Sequence, residues 1–256
     1  MNSKASKLEA FGRLLDVMDE LREKCPWDQK QTFETLRHLT IEETYELGDA
    51  ILNNDLNEIK KELGDLLLHI VFYARLGSEE SAFDIADVTN DIIEKLIYRH
   101  PHIYGDVAVS DAEEVKKNWE ALKLSEGKES VLEGVPKGLP ALIKAQRMQE
   151  KAAGVGFDWK TKDQVWDKFQ EELSELDDAL SNGDAEAIED EFGDVLFSLI
   201  NYARFLKINP ESALERTNQK FMYRFKYIEA QAKAQGTSID KLSLNQMEAF
   251  WQEAKR

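Results

Sequence analysis

EELSELDDALSN at residues 171–182 and DEFGDVLFSLINYARF at residues 190–205 decide how this chain is read, because both have counterparts 129 residues earlier. EETYELGDAILN at 42–53 lies over the first, and KELGDLLLHIVFYARL at 61–76 lies over the second. Glu62, Gly64, Asp65, Tyr73, Ala74 and Arg75 recur as Glu191, Gly193, Asp194, Tyr202, Ala203 and Arg204. Farther on, Lys95-Leu-Ile-Tyr-Arg99 matches Lys220-Phe-Met-Tyr-Arg224 after a small change of register. Each half then closes on a tryptophan segment, NWEALK at 118–123 and FWQEAK at 250–255. A period this long does not belong to a solenoid; it reads as a duplicated domain.

Both copies carry helical periodicity. Leu8, Phe11, Leu15, Met18 and Leu21 recur at i, i+3 and i+4, and the pattern ends before Pro26. Phe33, Leu36, Leu47 and Ile51 suit a second helix. Asp55 can cap a third, carrying Ile59, Leu63, Leu66, Leu67 and Ile70 and stopping at Gly77; a fourth runs from about Ser81 to the His100-Pro101 boundary. In the second half Thr161 can cap a helix ending near Gly183, and Asp184 can cap one ending near Lys207. Glu211–Gln235 forms a third and Ser243 starts a last one. No alternating strand of useful length occurs. The reading is an all-α fold of two tandem helical bundles, spanning residues 1–124 and 156–256. The segment 125–155 between them opens with SEGKESVLEGVPKGLP, an irregular linker rich in glycine and proline.

Fifty acidic against 33 basic residues among 256 give a net charge of −17. Such a surface repels phosphate backbones and anionic membranes, which argues against nucleic-acid and membrane partners. It leaves room for a small triphosphate, because a bound cation inverts the local charge. Cys25 is the only cysteine, so no intrachain disulfide forms. No apolar run approaches membrane-spanning length, and the N-terminal stretch lacks a secretory apolar core. A cytoplasmic location is the expectation.

The carboxylates carry the chemistry. Placing Val165 at 0° and advancing about 100° per residue puts Leu176 near about 20° and Ala179 near about 320°. Glu172, near about 340°, falls inside this apolar stripe, and Glu175, near about 280°, lies on its border. Glu171 falls outside. On the next helix Glu191 borders the apolar sector, and Asp194, three residues on, lies farther out. A buried unpaired carboxylate costs several kcal/mol or gives up its charge, and a divalent cation resolves that cost. The same four acids recur as Glu43, Glu46, Glu62 and Asp65. Carboxylates alone, with no Glu-x-x-His pair on these helices and no Cys/His cluster, select magnesium or manganese over iron or zinc. His69, four residues after Asp65, is read as a core histidine rather than a ligand. Magnesium shares substrate phosphates, which points to phosphate chemistry. Lys168, Lys220 and Arg224 are the candidate phosphate contacts. Trp251 is either a base-stacking platform or core.

The acidic pattern E-E-x-x-E followed by E-x-x-D resembles the MazG-type nucleoside triphosphate pyrophosphohydrolases. The resemblance extends to CPWD (25–28) with Gln31-Thr32, RHPHIYGD (99–106), GVPKGLPAL (134–142), GFDW (156–159) and KFMYRF (220–225). It implies a magnesium-dependent, homodimeric enzyme with two MazG domains, cleaving nucleoside triphosphates between the α- and β-phosphates. The resemblance carries the metal and catalytic roles to Glu172, Glu175, Glu191 and Asp194. It carries substrate contacts to Lys168, Glu171, Asp194, Lys220, Arg224 and Trp251. It also credits the second domain with the activity, leaving Glu43, Glu46, Glu62 and Asp65 as a secondary copy in a structural or dimerising domain. Two alternatives stay open: hydrolysis of another nucleotide, such as an alarmone or deoxynucleotides only, and a non-catalytic helical scaffold.

Overall fold

The computed structural model describes residues 1–111, 114, 115, 118, 119, 122 and 130–255. Residues 120, 121 and 123 of NWEALK and the first residues of the expected linker, 125–129, lie outside this set. Among the described residues every regular element is helical. Two compact units are formed, Met1–Val109 and Ser110–Arg256.

In the first unit helix α1 (Lys4–Lys24) is capped by Ser3, α2 (Phe33–Leu52) by a Thr32–Thr35 capping box, α3 (Leu56–Glu79) by Asp55 and α4 (Ile85–Arg99) by an Asp84–Asp87 box. A short helix α5 (Pro101–Tyr104) follows. Helices α2 and α3 pair along their lengths, with α1 and α4 laid on α3. Met18, Leu36, Val71, Phe72 and Leu76 form the buried centre, wrapped by Phe11, Leu15, Leu68 and Ile85.

In the second unit α6 (Ala141–Gly154) leads to α7 (Lys162–Asn182), α8 (Ala185–Phe205), α9 (Pro210–Ala234) and α10 (Leu244–Glu253). Thr161 and Ser243 close capping boxes on α7 and α10, and Asp184 caps α8. Helices α7 and α8 pair as α2 and α3 do, while α6 packs on α8 and α10 on α9. The turn between the paired helices is copied too. Asn54 (φ 54°) and Gly183 (φ 73°) both sit in the left-handed region, each just before the aspartate that caps the next helix. Asparagine and glycine are the residues that reach this region at least cost.

Three features differ from the sequence reading. Helix α3 runs through Gly77 to Glu79 rather than stopping there. Glycine is needed at that point for space: a Cβ would come within 2.6 Å of the Phe83 ring. The linker segment 125–155 carries a helix that the reading did not place, since 141–154 is α6, seated on α8. Pro140 starts it, and Leu142, Ala145, Met148 and Ala152 keep a helical spacing that the glycine- and proline-rich stretch before it obscures. Finally, Leu63, Leu67 and Ile70 on α3 are 52, 38 and 48% exposed, while Glu62, His69, Val71 and Phe72 face inward.

Candidate active site

Val165, Glu172 and Ala179 fall seven residues apart on α7, two turns each, and all three are buried. Glu172 is 7% exposed, a carboxylate held inside the apolar stripe where the helical wheel places it. Glu175, one turn on, is exposed, and Glu191 on α8 is half-buried. Each of the three offers a carboxylate oxygen within 4.8 Å of the others. Asp194 is exposed and stands outside this three-acid cluster.

Lys168 lies one turn before Glu172. Its Nζ reaches Glu171 at 2.8 Å and Glu172 at 2.9 Å. Those two carboxylates raise the lysine above its ordinary pKa, so its charge persists across the physiological range. Glu175 is also pushed up, first by its hydrogen bond with Glu172 and then by burial. Carboxylates crowded this closely either hold a proton or hold a cation.

The first unit repeats the cluster with different neighbours. Glu43, Glu46 and Glu62 again bring oxygens within 4.8 Å of one another. Glu62 is 2% exposed, and its Oε2 has no hydrogen-bond partner. Glu43 is raised by burial and by the half-buried Asp65. The cation beside this cluster comes from the other helix: Lys61 Nζ sits 2.9 Å from Glu62. Leu39 occupies the position equivalent to Lys168, and Asp190 the position equivalent to Lys61. This exchange of lysines between helices is visible in the alignment of the halves, but the Lys61–Glu62 pair is not readable from it. His69 is a core residue as expected, buried with Nδ1 2.7 Å from Thr40 Oγ1 and its ring edge-on to Tyr73.

Hard oxygen donors, one of them almost fully buried, and an unsatisfied Glu62 oxygen fit a divalent cation at either cluster. Lys220 and Arg224 stand one turn apart on α9. The Arg224 guanidinium lies 5.2 Å from the centre of the Trp251 ring, and Phe221 packs on the same indole. Trp251 is half-buried against the Ile228, Ala232 and Leu242 cluster. Among the described residues neither Lys220 nor Arg224 is ion-paired with the acids of α7 and α8.

A model of the MazG nucleotide pyrophosphohydrolase domain matches residues 31–104 and again 160–228, one match in each half. The nucleoside triphosphate pyrophosphohydrolase of Escherichia coli K12 is 42% identical over 97% of this chain and 98% of its own length. The nucleoside triphosphate pyrophosphohydrolase/pyrophosphatase MazG of Thermotoga maritima is 42% identical over 96% of this chain and 95% of its own. The uncharacterized protein YabN of Bacillus subtilis is 45% identical over 96% of this chain, which corresponds to 51% of YabN. The two matched segments contain the two acid clusters, and the chain therefore belongs to the MazG nucleotide pyrophosphohydrolases, hydrolases acting on nucleotide phosphoanhydrides.

Proposed function

We propose that this chain hydrolyses nucleoside triphosphates between the α- and β-phosphates, that magnesium is its cofactor and manganese a substitute, and that the second domain does the work. The cluster of Glu172, Glu175 and Glu191, with Lys168 at its edge, carries this reading. A bound magnesium supplies charge neutralisation at the phosphate oxygens and acidifies water.

The protein's part is positional. Glu172 is fixed by burial, so its oxygens are presented without rotamer search. Glu175 and Glu191 complete the donor set, and Asp194, three residues after Glu191 on α8, adds a further carboxylate. A carboxylate not spent on the cation takes the proton of the attacking water. The water oxygen bonds to the α-phosphorus, the bond to the bridging oxygen breaks, and pyrophosphate leaves with the electron pair. Nucleoside monophosphate and pyrophosphate are the products. Lys168, charged throughout, exchanges a carboxylate partner for a phosphate oxygen. Lys220, Arg224 and Trp251 supply the outer substrate contacts.

Homodimerisation belongs to the same reading. On α8 the single chain leaves Phe192, Leu196 and Leu199 at 55, 47 and 45% exposure, and on α9 it leaves Phe221 and Phe225 exposed. Apolar side chains in such number call for cover by a second copy. The test of the activity is a panel of nucleoside triphosphates with magnesium or chelator, measuring pyrophosphate and phosphate separately. Pyrophosphate released only with the cation supports the proposal; phosphate release, or no turnover of any triphosphate, refutes it.

A further inference from the structure

The second unit holds a cavity of about 660 Å³ that has no part in the site above. It lies between α6, the GFDW turn and α8, and Phe197, Asn201 and Arg204 give it the α8 wall. At about 100° per residue, the centre of that trio is about 110° around the helix from Glu191 and about 14 Å farther along the axis. Acid cluster and cavity therefore occupy different faces and different levels of α8.

The duplication shows what this cavity lacks. Helix α1 is to α3 what α6 is to α8: each packs on the second helix of its pair and ends at the turn leading into the first. On the 129-residue offset Phe197, Asn201 and Arg204 correspond to Leu68, Phe72 and Arg75. Phe72 is 2% exposed and shares the centre of the first unit with Met18 of α1. Asparagine stands in its place in the second unit. The aromatic residue there sits one turn earlier, at Phe197, and is 42% exposed, so its ring leaves the space unfilled. One copy seals an aromatic ring between its helices; the other leaves the equivalent room open.

The charged side chains on the lining, Arg204 and Asp158, cancel. Arg204 Nη1 donates to Asp158 Oδ2 at 2.8 Å, and Nη2 donates to the other oxygen. Arg204 also holds Asn201 Oδ1, from Nε at 3.1 Å and Nη2 at 2.8 Å. Gln149 belongs to the wall: its Nε2 donates to the Phe197 carbonyl at 2.8 Å, and its Oε1 is buried without a partner, closed to any ligand. The remaining lining is largely apolar, Leu132 and Met148 among it, and Phe157 (83% exposed) and Trp159 (43% exposed) add ring faces to that of Phe197.

We infer that this cavity is a ligand site, separate from the acid cluster, for an uncharged aromatic molecule of one or two fused rings. The first unit indicates the occupant, since a phenyl ring is what it buries at the equivalent position. Apolar cavities in helical proteins take up free aromatic rings in the same way. Ring-on-ring contact with the aromatic walls favours such a ligand over a saturated one of equal size. A volume of this order, apolar with a few fixed polar groups, is that of a small-molecule site. An anion has no place there, because the one cation on the lining is already neutralised by Asp158 and the chain carries a net charge of −17.

Calorimetric titration of the full chain with indole, in chelator, tests the assignment. Indole binds once per chain with a Kd below about 1 mM, and binding persists with magnesium and in Glu172→Ala. Indole-3-acetate, its anionic relative, binds at least about tenfold more weakly. Phenol binds several-fold more tightly than cyclohexanol, which has the same size without the ring. Asn201→Phe restores the ring of the first unit, fills the space and abolishes binding. Trp159→Ala, at a partly exposed side chain, removes one aromatic wall and weakens binding about tenfold, which keeps the test decisive should Asn201→Phe fail to fold. Helical circular dichroism and a cooperative melt report the folding of both. The inference is overturned if indole does not bind, if indole-3-acetate or cyclohexanol matches its partner, if binding needs magnesium or Glu172, or if the folded variants bind as the parent does. Binding to Phe192→Asp but not to the parent would also overturn it, by showing that a second copy covers the cavity. None of these results bears on triphosphate cleavage at the acid cluster, so the two proposals fail independently.

Discussion

Lys168 touches two carboxylates, and the proposed chemistry asks it to serve a phosphate as well. Replacing it by alanine removes a charge-assisted contact, which is worth about 1.5–3 kcal/mol in the bound complex. The KM of Lys168→Ala for the triphosphate therefore rises about tenfold or more; an unchanged KM places the lysine outside the substrate site. Glu175 makes a different prediction, about pH. Its carboxyl is raised in the folded chain by Glu172. A group raised on folding contributes its full stability below the unfolded value and loses it as pH climbs through the folded one. In chelator, then, Glu175→Gln melts progressively higher relative to the parent as pH rises from the carboxylate range toward neutrality, and a divalent cation, by binding the folded parent, closes the gap. A melting difference that ignores both pH and cation contradicts the crowding of these acids.

The paired helices and their turn are the element that was duplicated. Gly183 adopts φ 73° with nothing within 4 Å of where a Cβ would stand, so an alanine there meets only conformational cost. Gly183→Ala loses about 1 kcal/mol, whereas Asn54→Gly in the equivalent turn stays close to neutral; denaturant midpoints of both variants check this, and equal losses would contradict it. This level was the most legible in the sequence. Asp55, Thr161, Asp184 and Ser243 are all caps, as their residue types suggest, because capping is settled within one turn of the chain. The burial of Glu172 was legible for a similar reason, since helical angle alone places it among Val165 and Ala179. What the pattern left hidden depends on distant chain. Gly77 reads as a stop until Phe83 is seen against it. Leu63 and Ile70 look like core but remain exposed in the single chain. The Lys61–Glu62 pair and the unsatisfied Gln149 oxygen need coordinates, because neither residue type announces its partner.

At the scale of the whole molecule, two copies keep the same acids and differ in where the lysine stands. In the first unit Lys61, on α3, pairs with Glu62 and faces Glu58; in the second Lys168, on α7, pairs with Glu172 and Glu171. We assign turnover to the second copy on that difference, and we assign dimer formation to the exposed apolar faces. Phe192→Asp, at a side chain 55% exposed, should halve the mass seen by light scattering while leaving the helical content intact. A parent that already runs as a monomer would contradict the dimer. The central claim is that the second acid cluster holds the cation on which cleavage depends. Magnesium-dependent pyrophosphate release by four variants tests it most directly: Glu172→Ala and Asp194→Ala lose turnover, while Glu43→Ala and Asp65→Ala keep most of it. Equal losses in both pairs would contradict the account.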